Sequence, residues 1–160
     1  MTISVGEQLP SGKLWMKTED GVQEIDTDDF FANKKVVVFA LPGAFTPTCS
    51  AKHLPGYVEH AQEFFDKGVD AIVCLSVNDA FVMDAWGKDQ KVNGKVMMVA
   101  DGNADFSKAL GLSMDVSARG MGIRSQRYAM LVENGVVKLL NVEEPGAFEV
   151  SGAEAMLRAL

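Results

Sequence analysis

Cysteine is scarce in this chain, with two among 160 residues, Cys49 and Cys74, set 25 positions apart. That spacing leaves no CxxC pair, which speaks against a dithiol centre of the thioredoxin kind and against a structural zinc site. Two cysteines do not make a disulfide framework, so both are expected as reduced thiols in a reducing compartment. Basic residues are also in deficit, 15 against 22 acidic, for a formal charge of −7. A phosphate backbone would be repelled by that balance, and the one basic cluster spreads Arg119, Arg124 and Arg127 over nine positions. Nucleic acid is therefore not an expected partner. No apolar run approaches the roughly 20 residues that span a bilayer, so no membrane partner is expected either. The opening residues, MTISVGEQLPSGK, show no basic patch followed by an apolar stretch. No secretory leader is read there, and a cytoplasmic location is the expectation. Repeats, low-complexity tracts and linkers are missing as well.

What is present is enough apolar material, 48% of residues, to build one core, and residues 1–160 are read as a single domain. Lys13 to Ile25 forms two short runs around Asp20-Gly21, a hairpin pattern. Asp26 to Asn33 reads as a helical turn. Val36 to Leu41 is a continuous β-branched and aromatic run, the mark of a strand covered on both faces. A helical stretch is expected from about Cys49 to Lys67, kinked or interrupted at Pro55-Gly56. Asp70 to Val77 is a second buried strand, and Asp79 to Asp89 an amphipathic helix with Asp79 as its cap. Val96 to Ala100 gives a third strand, and Ala104 to Leu110 a helix closed by Gly111. Tyr128 to Val132 and Val136 to Val142 flank Glu133-Asn134-Gly135, the clearest hairpin signal. Ser151 to Leu160 reads as a last helix with Ser151 as candidate cap. The order predicts an α/β domain in three layers, with helices on both faces of a mixed sheet.

In such sheets, chemistry gathers beyond the carboxyl ends of the strands. Leu41-Pro42-Gly43-Ala44-Phe45-Thr46-Pro47-Thr48-Cys49-Ser50 occupies that position. Thr46-Pro47 suits a helix opening, which puts Cys49 in the first turn. Free N–H groups and the positive end of the helix dipole favour an anion there, and a thiolate is the reactive form of cysteine. An ordinary buried cysteine is the commoner case. Here the strand-to-helix placement, the proline-bracketed loop and the threonine three residues earlier displace it. Cys74, between Val73 and Leu75 in a strand, is expected in the core, with a resolving or modulating thiol as the sharper alternative. His53, four residues after Cys49, shares its helix face and is read as a packing or hydrogen-bonding residue without a proton-transfer role.

Pro42-x-x-x-Thr46-x-x-Cys49 resembles the peroxiredoxin active-site pattern. The longer string, through His53-Leu54-Pro55-Gly56, is similar to the atypical type II class, also called the peroxiredoxin-five class. The resemblance extends through Ser76-Val77-Asn78-Asp79, Ala100-Asp101-Gly102, Gly122 to Tyr128 and Leu140-Asn141-Val142-Glu143. It implies a thioredoxin-like fold and a peroxidatic cysteine at Cys49. It also implies a threonine and an arginine that complete the site, at Thr46 and Arg127, and a shielding proline at Pro42. Arg124 is the next candidate, as support.

The chemistry suits these residue types. A thiolate attacks a peroxide oxygen in line, and charge develops on the departing oxygen. A guanidinium can stabilise both, while a hydroxyl orients the substrate. No cofactor is called for. Some members of that class place a resolving cysteine near the C-terminus, but Phe148 to Leu160 contains none. A one-cysteine cycle closed by an external thiol, glutathione with glutaredoxin or thioredoxin, is therefore expected. The resemblance also implies a homodimer. Two rival readings stand beside this one. A cysteine hydrolase or amidotransferase would want glycines flanking its nucleophile, and Thr48-Cys49-Ser50 has none. A peroxide sensor would use Cys49 oxidation to change a partner interface without fast turnover.

Overall fold

The computed structural model describes residues 1–160. Seven strands form one mixed sheet in the order β2-β1-β5-β4-β3-β8-β9. They are β1 (Lys13–Thr18), β2 (Gly21–Asp26), β3 (Lys35–Ala40), β4 (Ala71–Ser76), β5 (Met97–Ala100), β8 (Tyr128–Glu133) and β9 (Val136–Val142). A separate two-stranded ribbon pairs β6 (Ser113–Asp115) with β7 (Ile123–Ser125). The continuous apolar run of β3 has the cause expected of it. This strand is central, parallel to β4 and antiparallel to β8, and side chains on both faces are buried. Val37 and Phe39 enter one core cluster, and Val36, Val38 and Ala40 enter the other. The three-layer, thioredoxin-like α/β architecture read from the sequence is the observed one.

Helices α1 (Thr27–Phe31) and α5 (Asp105–Leu110) pack on the second of these faces. Helices α2 (Leu54–Glu59), α3 (Ala61–Asp66), α4 (Ala80–Asp89) and α6 (Ala153–Ala159) pack on the face of Phe39. Caps explain several ends. Asp26 accepts from the N–H groups of Asp28 and Asp29 at the start of α1, and Asp79 accepts from Val82 N–H at α4. Gly111 closes α5 in the left-handed conformation, with φ 73°. Asn134 and Gly135, both at positive φ, turn β8 into β9. No helix is long and apolar enough to cross a membrane.

The structure departs from the local reading in three places. The helical stretch after Cys49 is not interrupted at Pro55-Gly56, which both lie within α2; it breaks at His60 (φ −97°, ψ 9°). Pro55 acts upstream instead. It has no N–H to offer and its ring crowds the carbonyl four residues back, and residues Cys49–His53 form a widened π-turn closed by Leu54 N–H on the Cys49 carbonyl. Ser151 does not cap α6: Gly152 holds that position, and the serine is turned to Glu143. The ribbon β6–β7 carries only three residues per strand, too few for a periodic pattern to register.

Candidate active site

The register of β3 with β8 builds the site. Ala40 at the end of β3 lies opposite Tyr128 at the start of β8, so Arg127 arrives beside the loop that leaves β3. That loop, 41–46, is pinned from several sides. Asn78 Oδ1 accepts from Ala44 N–H at 3.0 Å. Arg124 on β7 reaches across, donating through Nη1 to the Pro42 carbonyl at 3.3 Å and through Nε to the Met121 carbonyl at 3.0 Å. The space it uses is available because residue 43 is glycine: a Cβ there would stand 2.9 Å from Arg124 Nη1. Helical structure starts at Pro47, with Ser50 N–H bonded to the Thr46 carbonyl at 2.9 Å. Trp86 on α4 holds this turn by donating Nε1–H to Ser50 Oγ at 3.0 Å.

Cys49 is fully buried, and Arg127 Nη2 donates to its sulfur at 3.1 Å. This is a charge-assisted bond to a fully buried sulfur, stronger than a neutral one. The other prong of the guanidinium, Nη1, meets His53 Nδ1 at 2.7 Å. Arginine only donates, so Nδ1 accepts, and His53 is neutral with its proton on Nε2. That proton is given to the Ser151 carbonyl at 3.0 Å, which also accepts from Tyr57 OH at 2.7 Å. Burial, reinforced by the Arg127 charge, lowers the His53 pKa from 6.5 to about 3. The imidazole therefore stays neutral in the folded protein at neutral pH. Phe39 and Phe148 pack on it, with ring centroids 5.0 and 5.1 Å away, and Phe148 also lies 5.9 Å from the guanidinium carbon.

The Thr46 hydroxyl donates to the Gly43 carbonyl at 2.8 Å. Its one proton is spent there, so toward a substrate this oxygen can only accept. Donation to the Cys49 thiolate is thereby excluded, and orienting a substrate by accepting its proton is the role left to it. The six residues singled out from sequence thus fall into three groups. Cys49 and Arg127 are in direct contact, with Thr46 and Pro42 on the same loop and turn. Arg124 does not reach the sulfur and instead braces the Pro42 backbone. Cys74 lies fully buried on β4, beside Phe39 of β3, in the same core cluster as Cys49. Burial first, and then negative charge on Cys49, pushes the Cys74 thiol well above its ordinary range, while Arg127 acts weakly the other way.

A family model described as Redoxin matches residues 4–157. The chain is 51% identical to the chloroplastic peroxiredoxin-2E of Arabidopsis thaliana, over 99% of its own length and 70% of that protein. It is 49% identical to peroxiredoxin-2C of rice (Oryza sativa subsp. japonica), covering 99% of this chain and 98% of the relative. The chain belongs to the type II peroxiredoxins. As such it is a thiol-dependent peroxidase. The structure of reduced Prx3 from Vibrio vulnificus in complex with hydrogen peroxide superposes on it with a TM-score of 0.96, at 54% identity over 99% of each chain. Peroxiredoxin 5 from Alvinella pompejana gives a TM-score of 0.87 at 31% identity, over 98% and 97% of the two chains.

Sequence reasoning did not find Glu143, Ser151 and Phe148, which surround the peroxiredoxin's His53–Arg127 pair. Glu143 belongs to a quoted stretch of the resemblance, Leu-Asn-Val-Glu. Trp86 carried no signal; its partner Ser50 is 36 positions away in the chain.

Proposed function

We propose that Cys49 is the peroxidatic residue, reducing hydrogen peroxide and alkyl hydroperoxides, with Arg127, Thr46 and Pro42 shaping the peroxide site. The observation that carries this is the 3.1 Å bond from Arg127 Nη2 to Cys49 Sγ, made by a guanidinium whose other prong is already held. The thiolate attacks one peroxide oxygen. An S–O bond forms as the O–O bond breaks, and the electron pair leaves on the second oxygen, which takes a proton to become water or an alcohol. Arg127, which is permanently charged, stabilises the attacking sulfur and the departing oxygen together. Thr46 Oγ accepts the O–H of the bound peroxide and orients it, which is worth more than its bond energy because attack is directional. Pro42, with no N–H and an apolar ring, helps to keep water from the sulfenic acid.

The sulfenic acid is then reduced by an external thiol, glutathione with glutaredoxin or thioredoxin. One thiol displaces water to form an S–S bond to Cys49, and a second attacks that bond and releases the Cys49 thiolate. Full burial of Cys49 means that so bulky a reductant reaches it only when the first helical turns open. A resolving role for Cys74 would need a larger disruption, since it lies inside the central sheet and its protonated form is favoured. A reducing, cytoplasmic setting belongs to this reading, supported by two cysteines held as thiols. So does a homodimer, supported by the exposed ring of Phe45 on the loop that carries Thr46. Peroxide turnover with each donor system, with Cys49→Ser and Cys74→Ser in parallel, tests the reading. Cys49→Ser should abolish turnover and Cys74→Ser should retain most of it. A stoichiometric Cys49–Cys74 disulfide in peroxide-treated protein, seen by mass, would overturn the one-cysteine cycle.

A further inference from the structure

Glu143 is a carboxylate only 8% exposed that takes part in none of the ion pairs of the fold. A buried charge without a counter-ion is costly unless hydrogen bonds replace its water. Here they do. Its oxygens accept from the N–H groups of Glu149 at 2.9 Å, Val150 at 2.9 Å and Ser151 at 2.8 Å, and from Ser151 Oγ at 2.7 Å. Burial alone would raise its pKa, but these donors hold the carboxyl below its usual range. The same bonds shape the segment from 144 to 152, which presents the Ser151 carbonyl to His53 and the Phe148 ring to Arg127. Meanwhile the backbone N–H of Glu143 donates to the Arg127 carbonyl at 3.0 Å. One residue therefore holds Arg127 at both ends, directly at the backbone and through Ser151 and His53 at the guanidinium.

We propose that Glu143 is a positioning residue of the peroxide reaction, acting through Ser151 and His53 to fix the direction in which Arg127 meets the Cys49 sulfur. A guanidinium is planar and rigid, so anchoring Nη1 on an acceptor aims Nη2. The acceptor exists only while His53 carries its proton on Nε2, and that tautomer is selected by the Ser151 carbonyl. The Ser151 carbonyl, in turn, stands where it does because the N–H and hydroxyl of the same residue are bound to Glu143. This inference rests on Cys49 and Arg127 being the reacting pair.

The test is a double-mutant cycle on the rate of Cys49 oxidation by hydrogen peroxide under single-turnover conditions. Glu143→Gln keeps the size but puts an amide where only acceptors fit, and the rate should fall about 10-fold, the scale of one charge-assisted hydrogen bond. In an Arg127→Ala background the same substitution should change the rate by less than about 2-fold, because the group it acts through is gone. His53→Phe, which keeps the ring on Phe39 but offers no acceptor, should show the same dependence on Arg127. The ring nitrogen resonances of His53 should move away from a pure Nε2–H tautomer in Glu143→Gln. Equal losses with and without Arg127, or an unmoved His53 tautomer, would reduce Glu143 to a loop staple and overturn the proposal. If Arg127→Ala itself leaves the rate unchanged, the reading of the reacting pair fails with it.

Discussion

Lowering the pH from 7 to 5 should destabilise this peroxiredoxin, and the cause is His53. Its folded pKa of about 3 lies far below the ordinary 6.5 that it regains on unfolding. Between those values the unfolded chain binds a proton that the native state refuses. Stability is therefore present in full above pH 6.5 and is lost as the pH falls toward 3, at about 1.4 kcal/mol per pH unit. At pH 5 the loss is about 2 kcal/mol, a large part of the roughly 5–15 kcal/mol that holds a domain of this size together. His60, raised slightly by its exposed partner Glu63, acts in the opposite sense, but a solvent-screened pair contributes little. Urea unfolding at pH 7, 6 and 5 measures the slope directly. Imidazole NMR identifies the source, because the chain has only two histidines. One resonance set, from His60, should titrate somewhat above 6.5, and the other should stay neutral down to pH 4.5. Two histidines titrating together near pH 6.5, with a flat stability profile, would refute the buried Nε2–H tautomer and the arginine anchor built on it.

Arg127→Lys keeps the charge but cannot hold His53 and Cys49 at once, so the rate of Cys49 oxidation should fall by about 10- to 100-fold in stopped-flow measurements, with the fold unchanged by circular dichroism. Thr46→Val removes the oxygen that accepts the peroxide proton and should cost about 100-fold, while Thr46→Ser should restore most of it. Arg124→Met releases the Pro42 carbonyl without touching the sulfur; turnover should drop only a few-fold, by about 3- to 10-fold, well short of the Arg127 effect. Phe39→Ala opens the core under His53 and Tyr57, whose rings it contacts at 5.0 and 4.0 Å. A loss of about 3–5 kcal/mol in urea unfolding is expected.

The strands were legible because their signals are local. Val36 to Leu41 cannot be anything but a buried strand, and Asn134-Gly135 demands a hairpin of the residues around it. Cys49 was legible for the same reason, since strand end, loop, threonine, proline and cysteine fall within ten consecutive residues. Ser151 was misread as a cap because a serine before an apolar run is a good local signal, and only the approach of Glu143 from another element outbids it.

The arginine's surroundings are the clearest division between what sequence and structure decide. Local patterns bring β8 and β9 together, but they do not say in which register. From the turn, Glu133 pairs with Val136 and Val132 with Val137; beyond the irregularity at Leu131/Val132, Leu131 pairs with Leu139 and Tyr128 with Val142. The bulge inserts one extra residue, Lys138, on β9, as bulges near active sites often do. Without it the register from the turn would set Arg127 against Val142, an apolar side chain with nothing to offer a loop. With it Arg127 lies beside Glu143. The sequence by itself determined that Cys49 would sit at a helix start, and the resemblance it carries implied a late arginine beside it. How that arginine is aimed rests on a one-residue slip between two strands, which follows from packing across the whole sheet and which no local run of residues encodes.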